Sequence, residues 1–391
     1  MVFRPDLNNP ALSITMKLIM KKTGSKKKAL IAVILFLVAG GLRLLAEFSD
    51  TFASFYTANV YSVLVGTIGR FSGLFPFALS ELLLYLVIAG TVVMPVRIGL
   101  DIRQNMPGSA PLKQVFRFLS RTVLNLLLGF SVILLIYMLN CGINYHAGTF
   151  SSQAGMQVRQ YSPEELDTLC AMLTDQVNET AAKDAHHPTE NRLTGMDLST
   201  KSSWRKTSRA AMIRLGEEYP QLSGFYPLPK PLFFSRLLSV QQVTGIYSPF
   251  AIEAVYNREM PDYNVPHTLC HELSHLRGYM HEDEANFISY LACIGSDLQT
   301  FRYSGYLTAW VYAGNALAKQ DRKRYNELRA ELCPEALSDL EANNAFWDRF
   351  DGEIAEVHDK VNDAYLKSNG QSEGVISYNR FVELLLAFYS K

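Results

Sequence analysis

The stretch Thr122–Tyr145 contains no charged residue. An uninterrupted apolar run of that length is what a helix needs to cross the hydrocarbon core of a bilayer, about 20 residues. Two further stretches come close. Ala29–Phe48 carries only Arg43 and Glu47, both near its end, where their side chains can extend to the headgroups. Phe77–Val96 is interrupted only by Glu81 near its start. Any one alone could be the core helix of a folded domain. Together they predict a membrane unit over 29–145, with spans near 29–48, 77–96 and 122–145, preceded by a short, mobile basic tail, 1–28.

Formal net charge is zero, but it is unevenly spread: up to Tyr145 there are 14 Lys and Arg against 5 Asp and Glu, and beyond it 23 against 32. A nucleic-acid binder would cluster its basic residues on its soluble domain, so this distribution argues against that class. Arg4, Lys17, Lys21, Lys22, Lys26, Lys27 and Lys28 precede the first span, and Arg97, Arg103, Lys113, Arg117 and Arg121 separate the second from the third. Only Arg70 lies in Ser49–Pro76. The positive-inside rule therefore puts the N-terminus in the cytoplasm and residues 146–391 outside it, as one extracytoplasmic domain. No small-residue cleavage site follows the first apolar run, which argues against a removed signal peptide. The aromatic, nearly uncharged stretch between the first two spans suits a helix at the membrane interface or one packed under the outer domain.

In that outer domain, His271-Glu272-Leu273-Ser274-His275 sets two imidazoles one turn apart on one helix face, where both can reach one metal ion. Glu272 projects about 100° round the helix, too far to join them as a ligand but near enough to take a proton from an activated water. This is the HExxH zinc signature. A helix with a solvated polar face would bury the same Leu269, Leu273 and Leu276, so packing does not separate the two readings. The clustering does: four of the eight histidines, His267, His271, His275 and His281, fall within this short segment.

The remaining pattern is mainly helical. Ser162-Pro163 opens a helix that runs toward Ala182. Trp204–Tyr219, Glu282–Cys293, Tyr306–Leu332, Pro334–Tyr365 and Tyr378–Tyr389 continue in the same period. Asp184–Ser203 is a polar loop, and its adjacent His186 and His187 point apart. Leu232–Tyr256, rich in β-branched and aromatic residues, predicts two or three short strands, whose exposed edge could pair with an extended peptide. The fold class is thus mainly α with a small β-sheet. Five cysteines without a CxxC pair suggest buried free thiols rather than a disulfide framework.

A catalytic zinc usually takes three protein ligands. His281, with Gly278 before it, completes a pattern that resembles the metzincins, but no methionine follows Met280 to supply their methionine turn. The competing third ligand is a carboxylate from the next helix, as in the gluzincins. Glu284-Ala285-Asn286-Phe287 resembles the start of such a helix, provided the chain bends at Gly278, and Glu282 and Asp283 are near enough to be confused with Glu284.

Pro229-Lys230 with Ser235, Gly245 to Phe250, Glu253-Ala254, the HExxH run with Gly278, and Glu284 to Phe287 together resemble a family of uncharacterised bacterial multi-pass membrane proteins. Gly142 to Tyr145, Tyr365 and Gly374 to Tyr378 fit the same family. The resemblance implies a zincin-like zinc peptidase. It also favours Glu284 as the third ligand, with His281 as the alternative.

Both lines of reading lead to one expectation: a membrane-anchored zinc metallopeptidase that cleaves a peptide or protein substrate outside the cytoplasmic membrane. Zn2+ would be held by His271, His275 and Glu284, with Glu272 as general base and a tyrosine such as Tyr306 or Tyr378 as a second oxyanion donor. The rivals are a non-catalytic receptor or scaffold with a peptidase-like fold, and a zinc hydrolase acting on cell-wall amide bonds.

Overall fold

The computed structural model describes residues 10–105, 112–183, 198–369 and 378–390. Contacts divide the chain into two units: one formed by Met1–Leu45 and Leu84–Leu139, the other by Ala46–Leu83 and Asn140–Lys391.

The first unit is made of long apolar helices. The helix Pro10–Phe48 starts inside the basic segment rather than after it. Leu112–Tyr137 is the second long helix, and Lys28 Nζ donates to Asn125 Oδ1 at 2.8 Å between the two. Among the described residues two helices are long and apolar enough to cross a membrane, Gly24–Phe48 and Leu119–His146, with only 17% and 11% of their apolar windows buried. Such exposure is the reverse of a core helix. The expected middle span, 77–96, is corrected to a shorter apolar helix, Leu79–Met94. The cause is Pro95, Arg97 and Asp101, which follow at once and end its apolar surface while the helix itself continues to Asn105.

The second unit is mainly helical around one three-stranded sheet. Its strands are β1 (Lys230–Pro231), β2 (Gly245–Ser248) and β3 (Glu253–Tyr256), in the order β1-β3-β2. β3 runs parallel to β1 and antiparallel to β2, with Gly245 opposite Tyr256 and Ser248 opposite Glu253. The strand-rich segment read from sequence therefore holds β2 and β3, while Arg236–Ser239 within it forms a helical turn.

The HExxH helix, Asn264–Arg277, lies at the centre. It packs against β2, β3 and the helices Leu198–Glu218, Glu282–Ile294 and Gln299–Gln320. Leu269, Cys270, Leu273 and Leu276 are fully buried on it. The helix ends in a Schellman turn: Gly278, at φ 112°, donates to the His275 carbonyl at 2.9 Å, and Tyr279 donates to the Ser274 carbonyl at 3.2 Å. A Cβ at Gly278 would sit 2.7 Å from Thr57 Cγ2. All five cysteines are free, four of them buried.

Residues 46–83 are built into this unit. A helical run from Asp50 to Gly73, with wider π turns at Tyr56–Tyr61 and Val65–Gly69, meets the C-terminal end of the HExxH helix. Tyr61 Oη donates to the Leu276 carbonyl at 2.9 Å and lies 2.7 Å from Tyr247 Oη. A buried ion pair fastens the far end. Lys230 Nζ is 2.6 Å from Glu253 Oε1 and 2.6 Å from the Ser72 carbonyl. Glu253 also accepts from the Leu79 and Ser80 amides at 3.2 and 2.9 Å, so it caps the helix that begins there.

Removing one partner of a buried pair leaves the other charge uncompensated, a loss of about 3–5 kcal/mol. Lys230→Met is therefore expected to destabilise the detergent-solubilised full chain by that order in chemical denaturation. Gly278→Ala is expected to cost more than about 1 kcal/mol through its left-handed φ. Thr57→Ser in the same chain should recover part of that loss, because it removes the clashing methyl group.

Candidate metal centre

His271 and His275 lie one turn apart on Asn264–Arg277, their rings 4.6 Å between centroids and nearly perpendicular. After the Gly278 turn the chain re-enters a helix at Glu282, with His281 as its extended N-cap residue. Glu282 is thereby returned to the two imidazoles. Its carboxylate oxygens lie 3.2 Å from His271 Nε2 and 3.6 Å from His275 Nε2. One ligand atom from each of His271, His275 and Glu282 falls within 4.8 Å of the others, the one such cluster of His, Cys, Asp or Glu among the described residues.

The next two acids go elsewhere, since successive residues of a helix point about 100° apart. Asp283 pairs with Arg380 Nε at 3.0 Å. Glu284 accepts from the Ser151 amide at 2.9 Å and from Ser151 Oγ at 2.5 Å. His281 Nε2 lies 3.0 Å from the Tyr145 carbonyl. Of the two third ligands expected from sequence, Glu284 is thus engaged by Ser151 and His281 by Tyr145, while the acid beside the imidazoles is Glu282. Tyr306 packs on Tyr290, 6.0 Å between ring centroids, and the side chain of Tyr378 lies outside the described residues, as do His186 and His187.

The donor set suits a divalent transition metal. His275 Nδ1 is 2.8 Å from the Tyr279 carbonyl, which requires the proton on that nitrogen and aims Nε2 at Glu282. At this site His271 Nδ1 and Glu272 Oε2 are buried without a hydrogen bond. Imidazole nitrogens with a carboxylate are ordinary ligands of zinc.

Electrostatics sharpen this arrangement. Burial pushes the Glu272 carboxyl up to about 7, against the pull of His271 and His275. Burial alone would lower His275, but the Glu282 carboxylate facing it raises it to about 9. Burial also opposes the charge on Glu282, yet the facing imidazoles hold its carboxyl well below the usual range. His267, one turn before His271, is lowered to about 3 by burial and stays neutral, its Nε2 2.6 Å from Ser289 Oγ.

Strand β2 covers the base. A Cβ added to Gly245 would lie 2.5 Å from Glu272 Oε1 and 2.7 Å from Glu272 Cγ. β2 has a neighbour on one side only, so its outer edge is unpaired within the sheet. A cleft of about 500 Å³ opens on His271 and Glu282, lined also by Thr244, Asn286, Tyr312 and Lys319. Sequence reading did not place Gly245 or Ser151 at this site; Gly245 entered it only as the start of Gly245 to Phe250, one of the runs that carry the family resemblance.

A helical chain with an apolar N-terminal part and an HExxH helix facing a cleft is the class these features define. It belongs to the family described as a protein of unknown function (DUF3810), which matches residues 56–386. No curated protein and no solved structure matches the chain.

Gly245→Ala is expected to force β2 away from Glu272. Overpacking of this kind costs about 1–3 kcal/mol, to be read as a lowered melting temperature of the full chain.

Proposed function

We propose that this protein is a membrane-anchored zinc metallopeptidase whose metal ligands are His271, His275 and Glu282 and whose general base is Glu272. The observation that carries the reading is the meeting of two Nε2 atoms and one carboxylate beside a buried glutamate whose second oxygen has no hydrogen-bond partner. Zinc held there supplies Lewis acidity, polarising a carbonyl and lowering the pKa of a water toward about 7.

The chain's own residues do the rest. Glu272, with its carboxyl near 7, is matched to neutral pH both for accepting a proton from water and for passing it to the leaving amine. Its burial beneath Gly245 keeps bulk water from competing for that proton. The unpaired edge of β2 offers backbone donors and acceptors to an extended peptide, which suits a polypeptide substrate. The basic residues before the first apolar helix favour a cytoplasmic N-terminus, and an extracytoplasmic catalytic unit then requires the Leu79–Asn105 helix to cross the bilayer as well.

The full chain, purified in detergent, is expected to contain one zinc and to cleave peptides. Glu272→Gln should abolish cleavage while retaining zinc; equal cleavage by parent and variant would end the assignment, and zinc without cleavage in either would favour a receptor or scaffold. Glu282→Gln should lose zinc, whereas Glu284→Gln and His281→Gln should keep it. Retention in the first with loss in either of the others would restore the assignment read from sequence.

Protons give an independent check. His275 lies at about 9 and is protonated at pH 7 in the metal-free protein, so zinc must displace a proton to bind. Calorimetry in buffers of differing ionisation enthalpy should find about one proton released at pH 7, and apparent zinc affinity should fall as pH is lowered.

A further inference from the structure

The helical run Asp50–Gly73 is apolar on both of its faces. Tyr56, Tyr61 and Val65 are buried against the folded unit. On the other side Phe55, Val63 and Phe71 are 61%, 58% and 60% exposed, and Leu74 just beyond is 78% exposed. A helix that is hydrophobic all round is stable only where a second apolar medium covers it.

Its polar side chains behave as they would away from water. Asn59 Nδ2 donates to the Phe55 carbonyl at 3.0 Å, Ser62 Oγ to the Ala58 carbonyl at 2.7 Å and Thr67 Oγ1 to the Val63 carbonyl at 2.8 Å. Asn59 and Thr67 are exposed and Ser62 is half-buried, yet each is satisfied within its own helix, as polar side chains must be in a lipid environment. Between Asp50 and Glu81 the one charged residue is Arg70, and its guanidinium lies 4.3 Å from the centroid of the Phe225 ring. Phe233 and Phe234, 75% and 54% exposed, are tied to the helix that follows the run, because their amides both donate to the Glu81 carboxylate at 2.8 Å.

We infer that the outward face of Asp50–Gly73, together with Leu74, Phe233 and Phe234, is a lipid-binding surface seated at the acyl-chain and headgroup boundary of the bilayer. Lipid is favoured over a second copy of the chain by continuity. The run is entered directly from the apolar helix Gly24–Phe48 and left through Leu79–Met94, and a protein partner on this face alone would leave the exposed apolar surfaces of those helices uncovered. The inner face of the same run carries Thr57 and Tyr61, which meet Gly278 and the Leu276 carbonyl, so the lipid-facing helix is also the one that backs the end of the HExxH helix.

The test uses the full chain in vesicles of dioleoyl phosphatidylcholine and phosphatidylglycerol, with tryptophan introduced singly at Phe71, Leu74 or Val63. The parent, with Trp204, Trp310 and Trp347, supplies the background. Leu127→Trp, in the long apolar helix, is the lipid reference, and Ile213→Trp, exposed on Leu198–Glu218, is the water reference. Phe71→Trp and Leu74→Trp are expected to add blue-shifted emission that is quenched by lipids with brominated chains to an extent comparable with Leu127→Trp, and little by acrylamide. Quenching by acrylamide as strong as for Ile213→Trp would overturn the inference. So would quenching by neither reagent with a dependence on protein density in the vesicle, which would assign the face to a second copy. None of these readings depends on zinc or on cleavage, and an unquenched Leu127→Trp would instead count against a membrane-spanning helix.

Discussion

Carboxylates at three consecutive positions, 282 to 284, begin the helix that follows the Gly278 turn, and each must be compensated before it can be held against the core. An uncompensated buried charge costs several kcal/mol, comparable with the whole stability of many domains. The chain meets this condition by turning each carboxylate to a different partner: the two imidazoles for Glu282, Arg380 for Asp283 and Ser151 for Glu284. The start of a helix is also where negative charge is best tolerated, because the unpaired amides and the helix dipole point there. The bend at Gly278, the position of the turn bearing Ser151 and the docking of the C-terminal helix through Arg380 all follow from this one requirement.

That requirement also explains what could and could not be read from the amino-acid order. The HExxH helix, its stop at Gly278 and the helices beginning at Pro163 and Tyr378 were legible because caps, breakers and period are local. The choice among Glu282, Asp283 and Glu284 was not. Each differs from the next by a rotation of about 100°, and the direction of that rotation is set by contacts with residues as distant as Ser151, 133 positions away. A glutamate in a motif that looks like a ligand's can equally be a structural anchor, and Glu284, bonded to Ser151, is held as one here. The role of Gly245 at the site was invisible for a related reason: its lack of a side chain matters there because Glu272 lies beneath it.

Hydropathy gave the apolar helices but not how their connecting segment is employed. Residues 46–83 belong with Asn140–Lys391 rather than with the apolar helices, through hydrogen bonds that span long stretches of chain, Ser80 to Glu253 and Phe233 to Glu81 among them. No local pattern announces such pairings, since the same aromatic-rich sequence would serve equally well under a domain or on a lipid surface. In this protein the two faces of one helix serve both.

The Lys230–Glu253 pair has a mechanical corollary. Glu253 grips the amides at 79 and 80, Lys230 grips the Ser72 carbonyl, and β3, which carries Glu253, is hydrogen-bonded to β2 along its whole length. From the first turn of the Leu79–Asn105 helix to the glycine resting on Glu272, every link is a short hydrogen bond or a strand pairing, with no compliant loop in between. Such a train of contacts ties the start of that helix to the strand lying over the Glu272 carboxyl group through hydrogen bonds alone.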